Sequence, residues 1–314
     1  MSRVTRFLSI VVPAFREESG IARALREIRR AMSGTGDTFE IIVVDDGSTD
    51  GTWDAVTALQ DEIRELIGIR LSRNFGKESA IAAGLDVARG DACVVMDADL
   101  QHPPSLLPEM VRRWREGGWD VVEAVKTHRG QESAPRRVVV RGFYRAARWL
   151  TGYDLQDASD FKLIDRRVLD EWRRLGERAT FFRGLVAWMG FTRTQVEFEV
   201  PLRQSGDSRW SLAALGGLAV HAVTSFSSLP LQIVTVLGFV MLLVAVVVGA
   251  QAVRLWFEGL ALPGFTTVIL LQLIIGGFLM ISLGIIGTYI ARIYEEVKGR
   301  PRYVVRETRG PDRA

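Results

Sequence analysis

The chain has 314 residues, enough for one large domain or two smaller ones, and 40 basic against 37 acidic residues leave a net charge of +3. That near balance gives no reason to expect nucleic acid as a partner. A single cysteine, Cys93, excludes an intrachain disulfide and fits a reducing compartment.

Arg3 and Arg6 precede a short apolar run from Phe7 to Val12, but Pro13 stops it and no small-residue cleavage site follows. The start of the chain therefore reads as a first strand, not as a cleavable signal. Apolar runs then alternate with amphipathic stretches as far as about Val125. Strands are expected at Leu8–Val12, Glu40–Val44, Ile67–Leu71, Ala92–Met96 and Val121–Ala124. Helices are expected at Ile21–Met32, Thr52–Leu66, Lys77–Ala88 and Leu106–Trp114. Such alternation of short apolar strands with helices predicts an α/β fold with a mostly parallel sheet covered on both faces.

From Gln131 to Arg174 the composition turns basic and aromatic, as in Arg136, Arg137, Phe143, Tyr144 and Trp149. This suits a helix lying in a lipid headgroup layer, with an ordinary solvated helix as the alternative. Ser211–Ser228 is mildly apolar and reads as a second interfacial helix or a linker, and its lone His221 as structural. Two runs without a charged residue follow, Leu229–Val253 and Leu260–Ala291. Each exceeds the roughly 20 residues that a helix needs to cross a bilayer core. Arg292, Lys298, Arg300, Arg302, Arg306 and Arg309 follow the second run, whereas the loop between the runs offers Arg254 against Glu258. The positive-inside bias puts both termini in the cytosol.

The fourth expected strand ends in Asp97-Ala98-Asp99. Residues i and i+2 of a strand share a face, and the carboxyl ends of parallel strands are where open α/β sheets bind ligands. Two such carboxylates repel unless a cation sits between them, and hard divalent cations prefer oxygen ligands. A metal there would grip a diphosphate; a solvated loop is the alternative. Other polar groups follow the neighbouring strands: Pro13-Ala14-Phe15-Arg16-Glu17-Glu18, Asp45-Asp46-Gly47-Ser48-Thr49-Asp50-Gly51-Thr52 and Arg73-Asn74-Phe75-Gly76-Lys77. No phosphate-binding P-loop or Gly-x-Gly-x-x-Gly follows any strand, which argues against a dinucleotide-binding oxidoreductase.

Taken together and in order, Ile10–Phe15, Val43–Thr52, Asn74–Lys77, Met96–Pro104 and Asp160–Leu163 resemble the motifs of a known enzyme group. These are the family 2 inverting glycosyltransferases that load a sugar onto polyprenyl or dolichyl phosphate, the dolichol-phosphate-mannose-synthase-like group. The bacterial branch that makes polyprenyl-phosphate-glucose is the most similar, and with the two apolar runs the resemblance covers nearly the whole chain. It implies a GT-A-type domain over residues 1–210, an interfacial helix over 211–228, a two-helix transmembrane domain over 229–291 and a basic cytosolic tail over 292–314.

The resemblance also implies roles. Pro13, Phe15 and Glu17 would border the nucleoside, Asp45 would grip the base or ribose, and Lys77 would belong to the donor site. Asp97 would sit near the sugar or ribose, and Asp99 and Gln101, with Asp97, would hold Mg²⁺ or Mn²⁺ on the diphosphate. Arg129 and Arg137 would meet a phosphate, and Asp160, with Asp157 as its rival, would lie near the acceptor as orienting group or base. Arg203 and Arg209 would close over the diphosphate, although the group usually carries lysine at position 209 and arginine at 162. The implied reaction moves glucose from UDP-glucose to undecaprenyl phosphate with inversion, at a bacterial cytoplasmic membrane. Similar proteins are homotetramers. A processive polysaccharide synthase is the runner-up, but Gln204 and Arg209-Trp210 have the wrong spacing for its Gln-x-x-Arg-Trp motif, and two spans are few for a glycan channel. A membrane scaffold is the non-catalytic alternative, and Asp45, Asp97, Asp99 and Asp160 argue against it.

Overall fold

A computed structural model describes residues 5–126, 159–177, 181–198, 229–258 and 264–311. The chain divides into two compact units, one holding the described residues through 198 together with 300–311, the other holding the two apolar helices.

The first unit alternates β1 (Phe7–Ala14), α1 (Ile21–Ser33), β2 (Thr38–Asp45), α2 (Thr52–Ala58), β3 (Leu66–Leu71), α3 (Lys77–Val87), β4 (Ala92–Val95), α4 (Leu107–Gly117) and β5 (Val121–Lys126). It continues with β6 (Lys162–Asp165), α5 (Arg166–Arg174), α6 (Phe182–Trp188) and β7 (Arg193–Phe198). One eight-stranded mixed sheet results, in the order β7-β5-β6-β4-β1-β2-β3-β8, where β8 is Val305–Arg309. Its centre, β4-β1-β2-β3, is parallel, with Ile10 opposite both Ile41 and Val94. Antiparallel β6 and β8 flank that centre. Leu8, Ile10, Val11 and Val12 on β1 and Ile41 to Val44 on β2 are all fully buried, which is why these strands read as unbroken apolar runs rather than alternating ones. On α1 the buried side chains Ile21, Leu25, Ile28 and Met32 recur every three or four residues and close one face of the sheet. Asp165 caps α5 by accepting a hydrogen bond from Arg167 N at 2.9 Å.

The α/β expectation holds, with differences at particular elements. α2 stops at Ala58, not at Leu66. The helical spacing of Val56, Leu59, Ile63 and Leu66 continues past the helix because short turns, such as Leu59 N to Val56 O and Leu66 N to Ile63 O, keep those side chains inward. The stretch expected only as a basic tail instead supplies β8, which pairs antiparallel with β3. Its polar sequence, Val305-Arg306-Glu307-Thr308-Arg309, hides a strand because an edge strand can leave most of its side chains in water.

The second unit contains α7 (Leu229–Phe257) and α8 (Phe265–Val297). Both are long and apolar enough to cross a membrane, with spans at Val234–Leu255 and Ile274–Val297. Phe239, Leu243, Val247, Met280 and Ile281 are exposed, an arrangement that water would penalise and acyl chains would not. The expected interfacial segments, Phe143–Trp149 and 211–228, lie outside the described residues.

Candidate active site beyond the parallel strands

From β1 the chain moves outward to β2 and β3, then returns to place β4 on the other side of β1. A reversal of this kind opens a crevice beyond the carboxyl ends of the two strands where it occurs. A cleft of about 320 Å³ lies there, walled by Pro13, Phe15, Glu17, Asp46, Lys77, Asp97 and Asp99 among others.

The cleft wall is tied together across strands. Arg16 N donates to Ser48 Oγ at 3.0 Å and Glu17 N to Thr52 Oγ1 at 2.9 Å, which clamps the exit of β1 onto the turn after β2. Arg16 adopts φ 56°, a conformation costly for a residue with a side chain and one that clusters at ligand sites. Within the turn, Gly47 has φ 67°, and a Cβ there would stand 2.3 Å from the Arg73 carbonyl carbon, so only glycine fits. Asp46 accepts from Phe75 N at 2.7 Å and Gly76 N at 2.8 Å, holding the Asn74–Lys77 turn against the cleft.

Asp97, Asp99 and His102 each bring one ligand atom to within 4.8 Å of the others. Two carboxylates suit a hard divalent cation such as Mg²⁺ or Mn²⁺, and the imidazole adds a nitrogen donor that transition ions accept more readily than Mg²⁺ does. Leu100, inside the turn that joins these groups, also has a positive φ of 56°. The His102 ring is set at 5.5 Å from Phe161 and 5.6 Å from Phe198, centroid to centroid. Next to this cluster Lys77 Nζ bridges Asp97 Oδ1 at 2.5 Å and Asp160 Oδ2 at 2.6 Å. Arg183, from the first turn of α6, grips both oxygens of the same Asp160 carboxylate, with Nη2 to Oδ2 at 2.7 Å.

Residues 9–173 match the model of the family described as Glycosyl transferase family 2, more than half of the chain. The chain belongs to glycosyl transferase family 2. An uncharacterized glycosyltransferase of Bacillus subtilis, YkcC, is 38% identical over 318 residues, covering 99% of this chain and 96% of that protein. A prophage bactoprenol glucosyl transferase homolog of Escherichia coli K12 is 33% identical over 304 residues, covering 96% and 99%. Among solved structures, glucosyl-3-phosphoglycerate synthase from Mycobacterium tuberculosis in complex with Mn²⁺ and UDP-glucose is 23% identical, with a TM-score of 0.47 over 70% of this chain and 77% of that one.

In this family 2 glycosyltransferase the charges of the site are set by competition between burial and pairing. Burial works against the Asp160 anion, but Arg183 and Lys77 outweigh it and hold the carboxyl well below the usual carboxylate range. Burial likewise disfavours the Lys77 ammonium, and Asp160 and Asp97 overcome it and raise the group above its ordinary value. Glu78 goes the other way: burial pushes it up to about 7, against the hydrogen bond that it accepts from Phe182 N at 2.8 Å. Burial also raises Glu17, helped by Asp99 and Asp50. Below Asp160, Lys162 and Glu123 form a buried ion pair between β6 and β5.

Pro13, Phe15, Glu17, Lys77, Asp97 and Asp99 thus come together at one cleft. Asp45 is fully buried behind it, accepting from Ser48 N at 3.0 Å with Arg70 Nε 3.4 Å from its other oxygen, while its neighbour Asp46 takes the place on the cleft wall. Gln101 is exposed and donates its backbone N–H to Asp99 Oδ1 at 3.0 Å. Asp157, Arg129, Arg137, Arg203 and Arg209 lie outside the described residues. Sequence reasoning passed over Asp46, Glu78, His102 and Arg183. The first three sit within or beside the quoted motifs and were within reach; Arg183 belongs to no motif, and only the packing of α6 against α3 and α5 brings it to Asp160.

Proposed function

We propose that this chain transfers a hexose from a nucleotide diphosphate sugar to polyprenyl phosphate, with inversion at the anomeric carbon. The observation that carries the reading is the cleft at the β1/β4 reversal, where Asp97, Asp99 and His102 converge beside a Lys77–Asp160–Arg183 network. The near full-length likeness to a bactoprenol glucosyl transferase homolog supports the prenyl phosphate as acceptor and glucose as the sugar, and UDP-glucose is the donor proposed for it. Two apolar helices in the same chain supply what a lipid acceptor requires, an anchor that keeps the site at the bilayer.

Asp97, Asp99 and His102 would hold the divalent cation, Mg²⁺ or Mn²⁺, with Gln101 a candidate outer partner. When bound, the cation offsets the negative charge that develops on the departing nucleoside diphosphate. Pro13, Phe15 and Glu17 border the nucleoside, and Asp45 and Asp46 rigidify the turns around it. The acceptor phosphate is already anionic, so its oxygen attacks the anomeric carbon without needing a base. Asp160 fits that chemistry: a carboxylate committed to two cations is a weak proton acceptor, and its role is to orient Lys77 and Arg183. Those two cations stand where phosphate oxygens are to be met. Arg203 and Arg209 are assigned to the diphosphate, and Arg129 and Arg137 to phosphate, from sequence alone.

Transfer is tested with the detergent-purified full chain, labelled nucleotide sugars and undecaprenyl phosphate, with Mn²⁺, Mg²⁺ or chelator. One lipid-linked monosaccharide, formed with cation and lost with chelator, is expected. A water-soluble polymer, or no lipid-linked product from folded protein across the donor panel, would overturn the reading. Size determination on the same sample checks the homotetramer.

A further inference from the structure

A second recess, of about 550 Å³, adjoins the cleft and shares Phe15 and Asn74 with it. Four arginines line it: Arg16 after β1, Arg70 and Arg73 at the end of β3, and Arg306 from β8. Arg306 comes from the far end of the chain, beyond both apolar helices. We propose that Arg306 completes the nucleoside end of the donor site. The inference rests on the donor reading given above and extends it to a strand outside the residues that match the family model.

Three observations carry it. First, β8 does not run in simple register along β3. Arg70 faces Glu307 and Leu71 faces Val305, so Arg306 is the extra residue of a bulge. Bulges re-aim side chains and recur beside active sites. Here the bulged side chain is a wall of the recess.

Second, the strand is fastened on its approach. Ser72 N donates to Val304 O at 2.9 Å, the Tyr303 hydroxyl donates to Asp86 on α3 at 2.8 Å, and Arg302 donates to the Leu175 carbonyl after α5. Arg306 is therefore carried by ordered backbone and is not the end of a loose tail.

Third, the strand order sets the scale. The carboxylates that would hold the cation on the diphosphate follow β4, and the recess lies over the ends of β2, β3 and β8, in a sheet ordered β4-β1-β2-β3-β8. Neighbouring strands are about 4.8 Å apart, so β4 is separated from β2 by roughly 10 Å and from β8 by roughly 19 Å. The first distance suits the reach from a diphosphate to its base, and the long Arg306 side chain spans back from β8 to wall the recess there. A guanidinium offers a planar face for stacking and a fork of donors for ring carbonyls or ribose hydroxyls.

The test titrates UDP, GDP and CDP, with Mn²⁺, into the full-length protein and into Arg306→Ala, with Arg309→Ala as the control on the same strand. Arg306→Ala should weaken the preferred nucleotide about tenfold or more, at an unchanged thermal midpoint, while Arg309→Ala binds as the parent does. In the transfer assay the donor KM should rise by a similar factor with kcat nearly constant, and Arg306→Lys should recover part of it. Competition by the nucleoside monophosphate should weaken in Arg306→Ala, and competition by inorganic pyrophosphate should not. Equal nucleotide affinity in parent and Arg306→Ala, or a loss confined to pyrophosphate, overturns the assignment. Failure of the parent to bind any of the three nucleotides would instead remove the donor reading, and this assignment with it.

Discussion

At Asp160, burial and ion pairing pull a single carboxyl in opposite directions, and pairing wins because two cations reach it from different helices. Lys77 and Arg183 are 41% and 39% exposed, so water screens their pull on the nearly buried carboxylate. Asp160→Asn should therefore cost about 2 kcal/mol of stability, below the 3–5 typical of breaking a fully buried pair. Transfer should fall about a hundredfold or more, because Lys77 and Arg183 lose their common anchor. Without a base role, the parent kcat/KM should show no acidic limb that Asp160→Asn removes; finding one would reassign Asp160 as the proton acceptor. Glu78 gives a prediction of opposite sign. Its carboxyl, raised from 4.5 to about 7, stays protonated in the folded protein where the unfolded chain would release the proton. Stability therefore falls as pH rises between those values, by about 3 kcal/mol in total. Glu78→Gln keeps an acceptor for Phe182 N and removes the titration. Its thermal midpoint should match the parent near pH 4.5 and exceed it increasingly up to about pH 7; parallel curves would refute the shifted group.

At the scale of elements, the site depends on how closely α3 lies on β1, since α3 delivers Lys77 and Glu78 and β1 ends in Pro13 and Ala14. Gly84 makes that approach: a Cβ there would stand 2.3 Å from Val11 Cγ1, and Val11 is fully buried. Alanine normally favours a helix over glycine by about 1 kcal/mol, but overpacking a core costs roughly 1–3 kcal/mol. Gly84→Ala should be destabilising on balance and Gly84→Val more so, with transfer lost before unfolding as Lys77 shifts; a midpoint equal to or above the parent would show that α3 can move away freely. The central elements were legible because β1, β2 and β4 are covered on both faces and so must be apolar throughout. β6 went unread as a strand because its four residues include Lys162, whose buried charge is acceptable only with Glu123 opposite. The same limit applies to β8, whose edge position imposes almost no hydropathy pattern. Within the site, Asp97, Asp99 and Lys77 stood out as polar groups at strand ends, whereas Arg183 is one arginine among many until α6 is folded.

For the whole molecule, membership of one sheet by β8 and by β1 to β7 constrains the path of the chain. Strands that precede both apolar helices and a strand that follows them pair in the same sheet, so the chain returns to the same folded unit after both helices. At about 1.5 Å per residue, α7 with 29 residues and α8 with 33 are each longer than the roughly 30 Å hydrocarbon core. Two crossings are the expectation, with Glu258 on the far side. In a Cys93→Ala background, a membrane-impermeant thiol reagent applied to intact cells should label Glu258→Cys, and should label Thr308→Cys only after lysis. Labelling of both from outside, or of neither, would refute the hairpin. Cys93 is a suitable residue to remove, since it is a free cysteine buried in β4.

Amino-acid order by itself determined the α/β alternation, the two apolar helices and the carboxylates after β4, because each is written in a local pattern: the period of burial, the length of an uncharged run, or a polar group at the end of a strand. Only the tertiary structure decided that His102 joins Asp97 and Asp99, that Arg183 and Lys77 share Asp160, and that Arg306 walls the recess beside the cleft from the other end of the chain. His102 comes to the carboxylates through the turn at Leu100, whereas the other contacts join residues far apart in sequence. Their partners are chosen by strand order and by a bulge in register, and no local pattern records either.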